Sequence, residues 1–318
     1  MPTYNYGRYI RTALESIRIQ TEVGVEVVVL DGGSEDDTGT IVQEMAANWP
    51  QLRYIRQAAR GGIDFDMARS VELANGDYCW LLSADDALQP GAVRRIMSEI
   101  TTDCDILLCN RLWCDANLRP IKTQTWLRGV ASDSVVDMQN DEDLLQYLRH
   151  AQSLGALFSY MSYIGFRRDK WIRGGEGLPA IPCYTHVARL FDMGRMGARL
   201  KYLEAPLVLC RSGNDSFSSG GLLSRLMIDL RGFLAVGKAI FPENRDLQES
   251  FLRTLRREHP WWRWVRVRGG VQDICLWKVA ERHLFEFGFS RIHLHMINAM
   301  GRAFGALRSM RAVFRKFT

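Results

Sequence analysis

Residues 76–86 read GDYCWLLSADD. Tyr78, Cys79, Trp80, Leu81 and Leu82 form a continuous apolar run bounded by Gly76-Asp77 and by Ser83-Ala84-Asp85-Asp86. A short run of that kind reads as a parallel strand covered on both faces. In open α/β sheets ligands bind beyond the carboxyl ends of the strands, so Asp85 and Asp86 are placed in a crevice. Two neighbouring carboxylates there suggest a divalent cation.

Working outward, the same pattern repeats. Val25–Leu30 (VEVVVL) is a β-branched run that closes on Asp31-Gly32-Gly33-Ser34. Helical spacing over 5–20, with Asn5 as its cap, and over 38–48 and 64–74 alternates with strands at 26–30, 52–56, 76–86 and 105–110. A further helix opens at Pro90-Gly91. This alternation predicts an α/β fold with a mostly parallel sheet and helices on both faces. Such a domain needs a strand of about five or six residues before its first helix. Only Met1 precedes Pro2-Thr3, so that strand is expected to be missing, through a misplaced start or a trimmed chain. Beyond Trp113 the reading gives an edge strand at 123–127, a helix at 141–150, a strand at 159–167 and a helix at 184–193. A bent strand at 200–211, broken at Pro206, and a helix at 221–240 follow.

With 318 residues, 47% apolar, the chain supports a large core and about two domains. Its net charge of +5 conceals a division: residues 1–250 carry 27 Lys and Arg against 32 Asp and Glu, residues 251–318 carry 14 against 4. The seven cysteines form no CxxC pair. Cys79, Cys109 and Cys210 lie in apolar runs, and Cys104, Cys109 and Cys114 read as reduced core thiols of a cytoplasmic protein. There is neither a signal-peptide pattern nor an apolar stretch long enough to span a bilayer.

PTYN (2–5), VVVLDGGSEDDT (27–38), GIDFDMARSVELANGDY (62–78) and LLSADDAL (81–88), in this order and spacing, resemble the family 2 glycosyltransferases of the GT-A fold. RDKW (168–171), YTHV (184–187) and PLVLCRSGNDSF (206–217) extend the similarity to the abequosyltransferase-like O-antigen enzymes. The resemblance implies a GT-A domain over 1–217 and a Mg²⁺- or Mn²⁺-dependent enzyme. Such an enzyme moves a sugar from a nucleotide-sugar donor to a lipid-linked glycan acceptor in surface polysaccharide assembly. It implies Asp86 as the metal ligand, with Asp85 on the ribose or donor sugar. Asp31 would bind the nucleoside, Thr3 and Tyr4 would wall the base, and Asp66 would bind the donor. The family pattern often reads Asp-x-Asp, and here Ser83 or Ala84 stands in the earlier place. No Glu-Asp pair occupies the acceptor half, where Cys183-Tyr184-Thr185-His186 stands. His186 is the candidate general base, with Asp169 and Asp192 behind it. Arg211, opening the loop Arg211–Ser216, suits phosphate or acceptor oxygens. Asp36 and Asp37 read as helix-start acids, and Asp64 as an N-cap or a donor ligand. A non-catalytic nucleotide-sugar-binding or scaffold protein of the same fold is the competing class.

Residues 218–318 read as a helical, basic region. Ile292, Met296, Met300, Ala303, Leu307, Met310, Phe314 and Phe317 follow steps of three and four, with Arg302, Arg308, Arg311, Arg315 and Lys316 mostly off that stripe. Three tryptophans stand among arginines at 261–268. This composition suits an anionic membrane surface and peripheral association at the cytoplasmic face of the inner membrane. The alternative is a helix packed on the catalytic domain. Nucleic-acid binding is not read, because no recognition motif accompanies the charge.

Overall fold

A computed structural model describes the chain apart from residues 21–23, 101–102, 131–132, 215–216, 218–219 and 315–318, and apart from the side chains of 308–318. It divides into two compact units, Met1–Asp215 and Ser216–Thr318. The first begins with β1 (Pro2–Thr3), α1 (Gly7–Arg18), β2 (Val27–Asp31), α2 (Thr38–Ala46), β3 (Leu52–Arg56) and α3 (Ile63–Leu73). β4 (Tyr78–Trp80), β5 (Ala87–Leu88), α4 (Ala92–Glu99), β6 (Ile106–Cys114), β7 (Pro120–Gln124) and β8 (Val135–Asp137) come next. The unit closes with α5 (Asp141–His150), β9 (Ile164–Arg167), α6 (Arg168–Arg173), α7 (Thr185–Arg195) and β10 (Arg199–Arg211).

β1, β2 and β3 form a parallel sheet in that order, and all five residues of β2 are buried. α1 buries Ile10, Ala13, Leu14 and Ile17 and runs beside α2 and β5. A seven-stranded sheet runs β4-β9-β6-β10-β5, with β7 on β6 and β8 on β10. Only β6 and β10 pair in parallel there. β4 differs from the fully covered parallel strand expected at 76–86: it has three half-buried residues and pairs antiparallel with β9. Pro206 does bend its strand, by register shifts on either side of it, while β10 is an interior strand between β6 and β5.

Where the full first strand is expected to be missing, Pro2 and Thr3 form the two-residue β1 opposite Leu30 and Asp31. The Met1 ammonium donates to Val28 O at 2.8 Å, and burial pushes its pKa down to about 5. A cleft of about 350 Å³ lies beside it, lined by Met1, Ile17, Val28, Val71, Trp80, Ile96 and Leu107. Asn5 does not cap α1. It stands at φ 59°, and its Oδ1 accepts from Glu35 N at 2.9 Å. Asp36, in the loop before α2, supplies the α1 cap, accepting from Gly7 N at 2.9 Å.

The second unit is helical: α8 (Gly221–Ile240), α9 (Arg245–Glu258), α10 (Trp261–Gly270), α11 (Ile274–Glu286) and α12 (Arg291–Phe314). Phe233, Phe251 and Phe287 are fully buried in it. Of the three clustered tryptophans, Trp264 is a core residue and Trp262 is exposed. On α12, Ile297 and Gly301 are buried, whereas Ile292, Met300, Ala303 and Leu307 are exposed. Arg308, Met310, Arg311, Phe314, Arg315, Lys316 and Phe317 lie outside the described residues, as do Asp215 and Ser216. No helix among the described residues is long and apolar enough to cross a membrane.

Candidate active site

Two polar clusters lie at the carboxyl ends of the strands. The first follows β1 and β2. Thr3 Oγ1 is buried and, among the described residues, has no hydrogen-bond partner. Tyr4 lies under a guanidinium that composition did not single out, with Arg60 Cζ 4.6 Å from the ring centroid. Asp31 is fully buried. Its Oδ1 accepts from Ser34 N at 2.8 Å and Ser34 Oγ at 2.6 Å, and its Oδ2 accepts from Tyr54 Oη at 2.6 Å. Burial, then this bond to Asp31, raises the Tyr54 hydroxyl to about 12. Asp31 therefore shapes its own loop. Asp66 accepts from Gln57 Nε2 at 2.7 Å, and a Cβ on Gly32 would stand 3.5 Å from Asp66 Oδ2, so Asp66 adjoins the loop after β2.

The second cluster is built around Asp85 and Asp86, both buried between β4 and β5. Ser162 Oγ donates to Asp86 Oδ2 at 2.5 Å and accepts from Ser83 N at 3.0 Å. Arg211 N donates to Asp86 Oδ1 at 3.0 Å. Asp85 Oδ1 accepts from Ser83 Oγ at 2.5 Å, and its Oδ2 from Asn214 Nδ2 at 2.9 Å. Ser83, in the earlier place of the acidic motif, is thus an orienting donor. The Arg211 guanidinium binds backbone, with Nε donating to Asp85 O at 2.9 Å and Nη1 to Ala116 O, and it stacks on Tyr9 at 4.6 Å. It ties β10 to the acidic turn. Burial and then the Asp85 charge push the Asp86 carboxyl up to about 6, against the bonds from Ser162 and Arg211 N.

Those two carboxylates fit a hard divalent cation, because Mg²⁺ and Mn²⁺ take one or two carboxylates and keep waters and phosphate oxygens. A cation there would offset the burial and the Asp85 charge that together raise the Asp86 pKa. No group of three His, Cys, Asp or Glu side chains that could cage a metal occurs among the described residues.

His186 lies in the first turn of α7, 5% exposed. Its Nε2 is 3.0 Å from Phe158 O, and its Nδ1 has no partner among the described residues. Burial pushes its pKa down to about 4, so the imidazole is neutral at pH 7. Asp64 does not cap its own helix: it accepts from Cys183 N at 2.7 Å and Thr185 N at 3.2 Å, holding the start of α7. Asp192 accepts from Gly175 N at 2.8 Å, and the exposed Asp169 pairs with Arg173 at 2.5 Å. Sequence reasoning missed Arg60, Ser162 and Asn214. Only the polar makeup of the Arg211–Ser216 loop hinted at the last.

The buried Asp31 after β2 and the buried Asp85–Asp86 pair after β4 suit a nucleotide-sugar glycosyltransferase. The chain belongs to glycosyl transferase family 2, whose profile matches residues 1–175. It is 31% identical over 268 residues to abequosyltransferase RfbV of Salmonella typhimurium, covering 82% of this chain and 80% of that protein. It is 39% identical over 106 residues to a chondroitin synthase of Escherichia coli, covering 33% of this chain and 15% of that protein. Among solved structures, S. aureus TarS 1–349 in complex with UDP-GlcNAc shares the fold with a TM-score of 0.64 at 17% identity, covering 100% of this chain and 90% of that one. Mannosyltransferase PcManGT from Pyrobaculum calidifontis, in complex with GDP-Man and Mn²⁺, gives 0.53 at 14% identity, covering 99% and 86%.

Proposed function

We propose that this glycosyltransferase moves a deoxyhexosyl or hexosyl group from a nucleoside diphosphate donor to a lipid-linked glycan during O-antigen or related surface polysaccharide assembly. The observation that carries this reading is the buried Asp85–Asp86 pair, each carboxylate oriented by donors from a different element. Abequosyltransferase RfbV, similar along most of its length, supports the polysaccharide context. Asp86 would hold Mg²⁺ or Mn²⁺ with Asp85 beside it, and the cation would supply charge against the leaving diphosphate. Thr3 Oγ1 and the Tyr4–Arg60 pair would receive the nucleoside, with Asp31 and Asp66 shaping that loop and Arg211 bracing the acidic turn. His186 is the candidate to take the acceptor proton. It alone of the three candidates offers a buried basic nitrogen without a partner, whereas Asp169 and Asp192 are engaged.

Donor hydrolysis and transfer are expected to require Mg²⁺ or Mn²⁺ and to vanish in Asp86→Ala. Binding of nucleotide without turnover under any divalent cation would instead favour a non-catalytic protein. His186→Ala is expected to lower kcat about 10²- to 10⁴-fold with donor binding retained. Unchanged turnover would remove His186 from the reaction.

The basic second unit supports peripheral attachment to an anionic cytoplasmic membrane surface. It exposes Trp262, Phe285, Ile292, Met300 and Leu307.

A further inference from the structure

Two residues before Ser162, whose hydroxyl holds Asp86, Tyr160 is left 38% exposed. Behind its ring stands a buried guanidinium. Arg111 Cζ is 4.4 Å from the Tyr160 centroid, 5.2 Å from that of Trp126 and 5.6 Å from that of Tyr163. Arg111 is only 8% exposed, donates to Gln124 Oε1 at 2.9 Å and to Cys210 Sγ at 3.0 Å, and makes no ion pair among the described residues. Burying a cation without a contact ion pair costs stability, which the negative faces of three rings and the Asp86 charge partly offset. Trp126 lies nearly parallel to Tyr160, at 24° with centroids 6.5 Å apart, and its Nε1 donates to Cys109 O at 2.7 Å. The result is a rigid aromatic stack with one half-exposed end.

We infer that Tyr160 is the floor of the acceptor subsite, stacking on the C–H face of the pyranose that receives the transferred sugar. This rests on the glycosyltransferase reading. The nucleoside cluster belongs to the β1–β3 sheet and the diphosphate to the acidic turn. Tyr160 precedes β9 in the other sheet, two residues from the Ser162 that holds Asp86, and the Arg111 behind its ring feels the Asp86 charge. A sugar's C–H face packs on the π-face of a fixed ring, while its hydroxyl rim is left to polar neighbours. A ring locked from behind by Arg111 and Trp126 loses little entropy when it is covered.

Saturation-transfer NMR on the full chain tests this. The probes are the methyl glycosides of glucose, galactose, mannose and rhamnose, each with Mg²⁺ and UDP, GDP or CDP. The C–H protons of at least one glycoside are expected to receive saturation. Tyr160→Ala should weaken that glycoside about tenfold or more, Tyr160→Phe and Tyr160→Trp should retain it, and nucleotide saturation should persist in all three. Three results would overturn the subsite: no glycoside responding to the wild type, an equal response in Tyr160→Ala, or loss of nucleotide and glycoside together in that variant. Absence of nucleotide saturation in the wild type would count against the donor reading instead, while the glycoside signals still judge Tyr160.

Discussion

Asp86 and His186 are buried titratable groups whose shifts oppose each other. Native Asp86 holds its proton up to about pH 6, well above an unfolded aspartate at 3.8. Between those values the native state binds more protons, so stability falls as pH rises and the deficit is complete above pH 6. His186 runs the other way, because its native pKa of about 4 lies below the ordinary 6.5. The unfolded state binds more protons in that window, so stability is lost as pH falls from 6.5 towards 4. The two slopes oppose each other in the wild type without metal, and the buried Met1 amine, its pKa down to about 5 from 8.0, adds a rise in stability from pH 5 to 8. Asp86→Asn keeps both contacts, with Oδ1 accepting from Arg211 N and Nδ2 donating to Ser162 Oγ. It should abolish transfer yet raise the unfolding free energy at pH 8 by roughly 3 kcal/mol, and leave stability rising from pH 5 to 6.5. His186→Gln should leave a clearly shallower rise over the same interval, because the Asp86 slope then opposes that of the buried Met1 amine alone. Urea unfolding at pH 5, 6.5 and 8 checks the order of the two slopes. Parallel pH profiles for the two variants would remove these carboxyl and imidazole shifts from the account.

At the scale of elements, α12 meets α10 through glycines. A Cβ on Gly305 would stand 2.7 Å from Gly269 O, a backbone atom that cannot swing aside, whereas a Cβ on Gly270 would meet nothing within 4 Å. Gly305→Ala should cost about 1–3 kcal/mol by forcing the helices apart. Gly270→Ala should be neutral or slightly stabilising, since alanine is the better helix former. Thermal unfolding of the two variants side by side measures the difference, and equal melting temperatures would mean that the helices do not approach this closely. Helices of this kind were legible because a 3.6-residue pattern is local: α5 and α8 occupy Asp141–His150 and Gly221–Ile240, the spans their periodicity marks. β4 was not, because Leu81 and Leu82 are apolar and buried yet outside the ladder, and an apolar run does not say where pairing ends. The acidic pair was legible and its support was not. Ser162 and Asn214 lie 76 and 129 residues from the carboxylates they orient, and only the folded register brings them there. Asp64 misled for the same reason, since its helix-start position hid a role at another helix.

At the scale of the molecule, the basic end of the sequence carries an exposed apolar row on α12. Residues 251–318 carry 14 Lys and Arg against 4 Asp and Glu, and on α12 the apolar stripe faces away from α10. Ile292 is 73% and Leu307 56% exposed, while Ile297 and Gly301 face inward. A solvated basic helix would not need that stripe, whereas a helix lying on lipid uses both halves, with apolar groups among acyl chains and cations among phosphates. Replacing Ile292 and Leu307 together by Asp leaves the buried side of α12 intact, so folding should persist, with donor hydrolysis within about twofold of the wild type by the usual tolerance of surface sites. Each apolar side chain withdrawn from lipid forfeits about 1.5–3 kcal/mol at full burial, and half-exposed ones forfeit part of it. The double variant should therefore bind vesicles containing phosphatidylglycerol at least tenfold more weakly in co-sedimentation. Added salt should weaken the wild type as well, because screening reduces the attraction of the basic groups. Equal pelleting of both proteins would separate the stripe from the membrane and leave α12 its packing on α10 and its Asn298 bonds to α11.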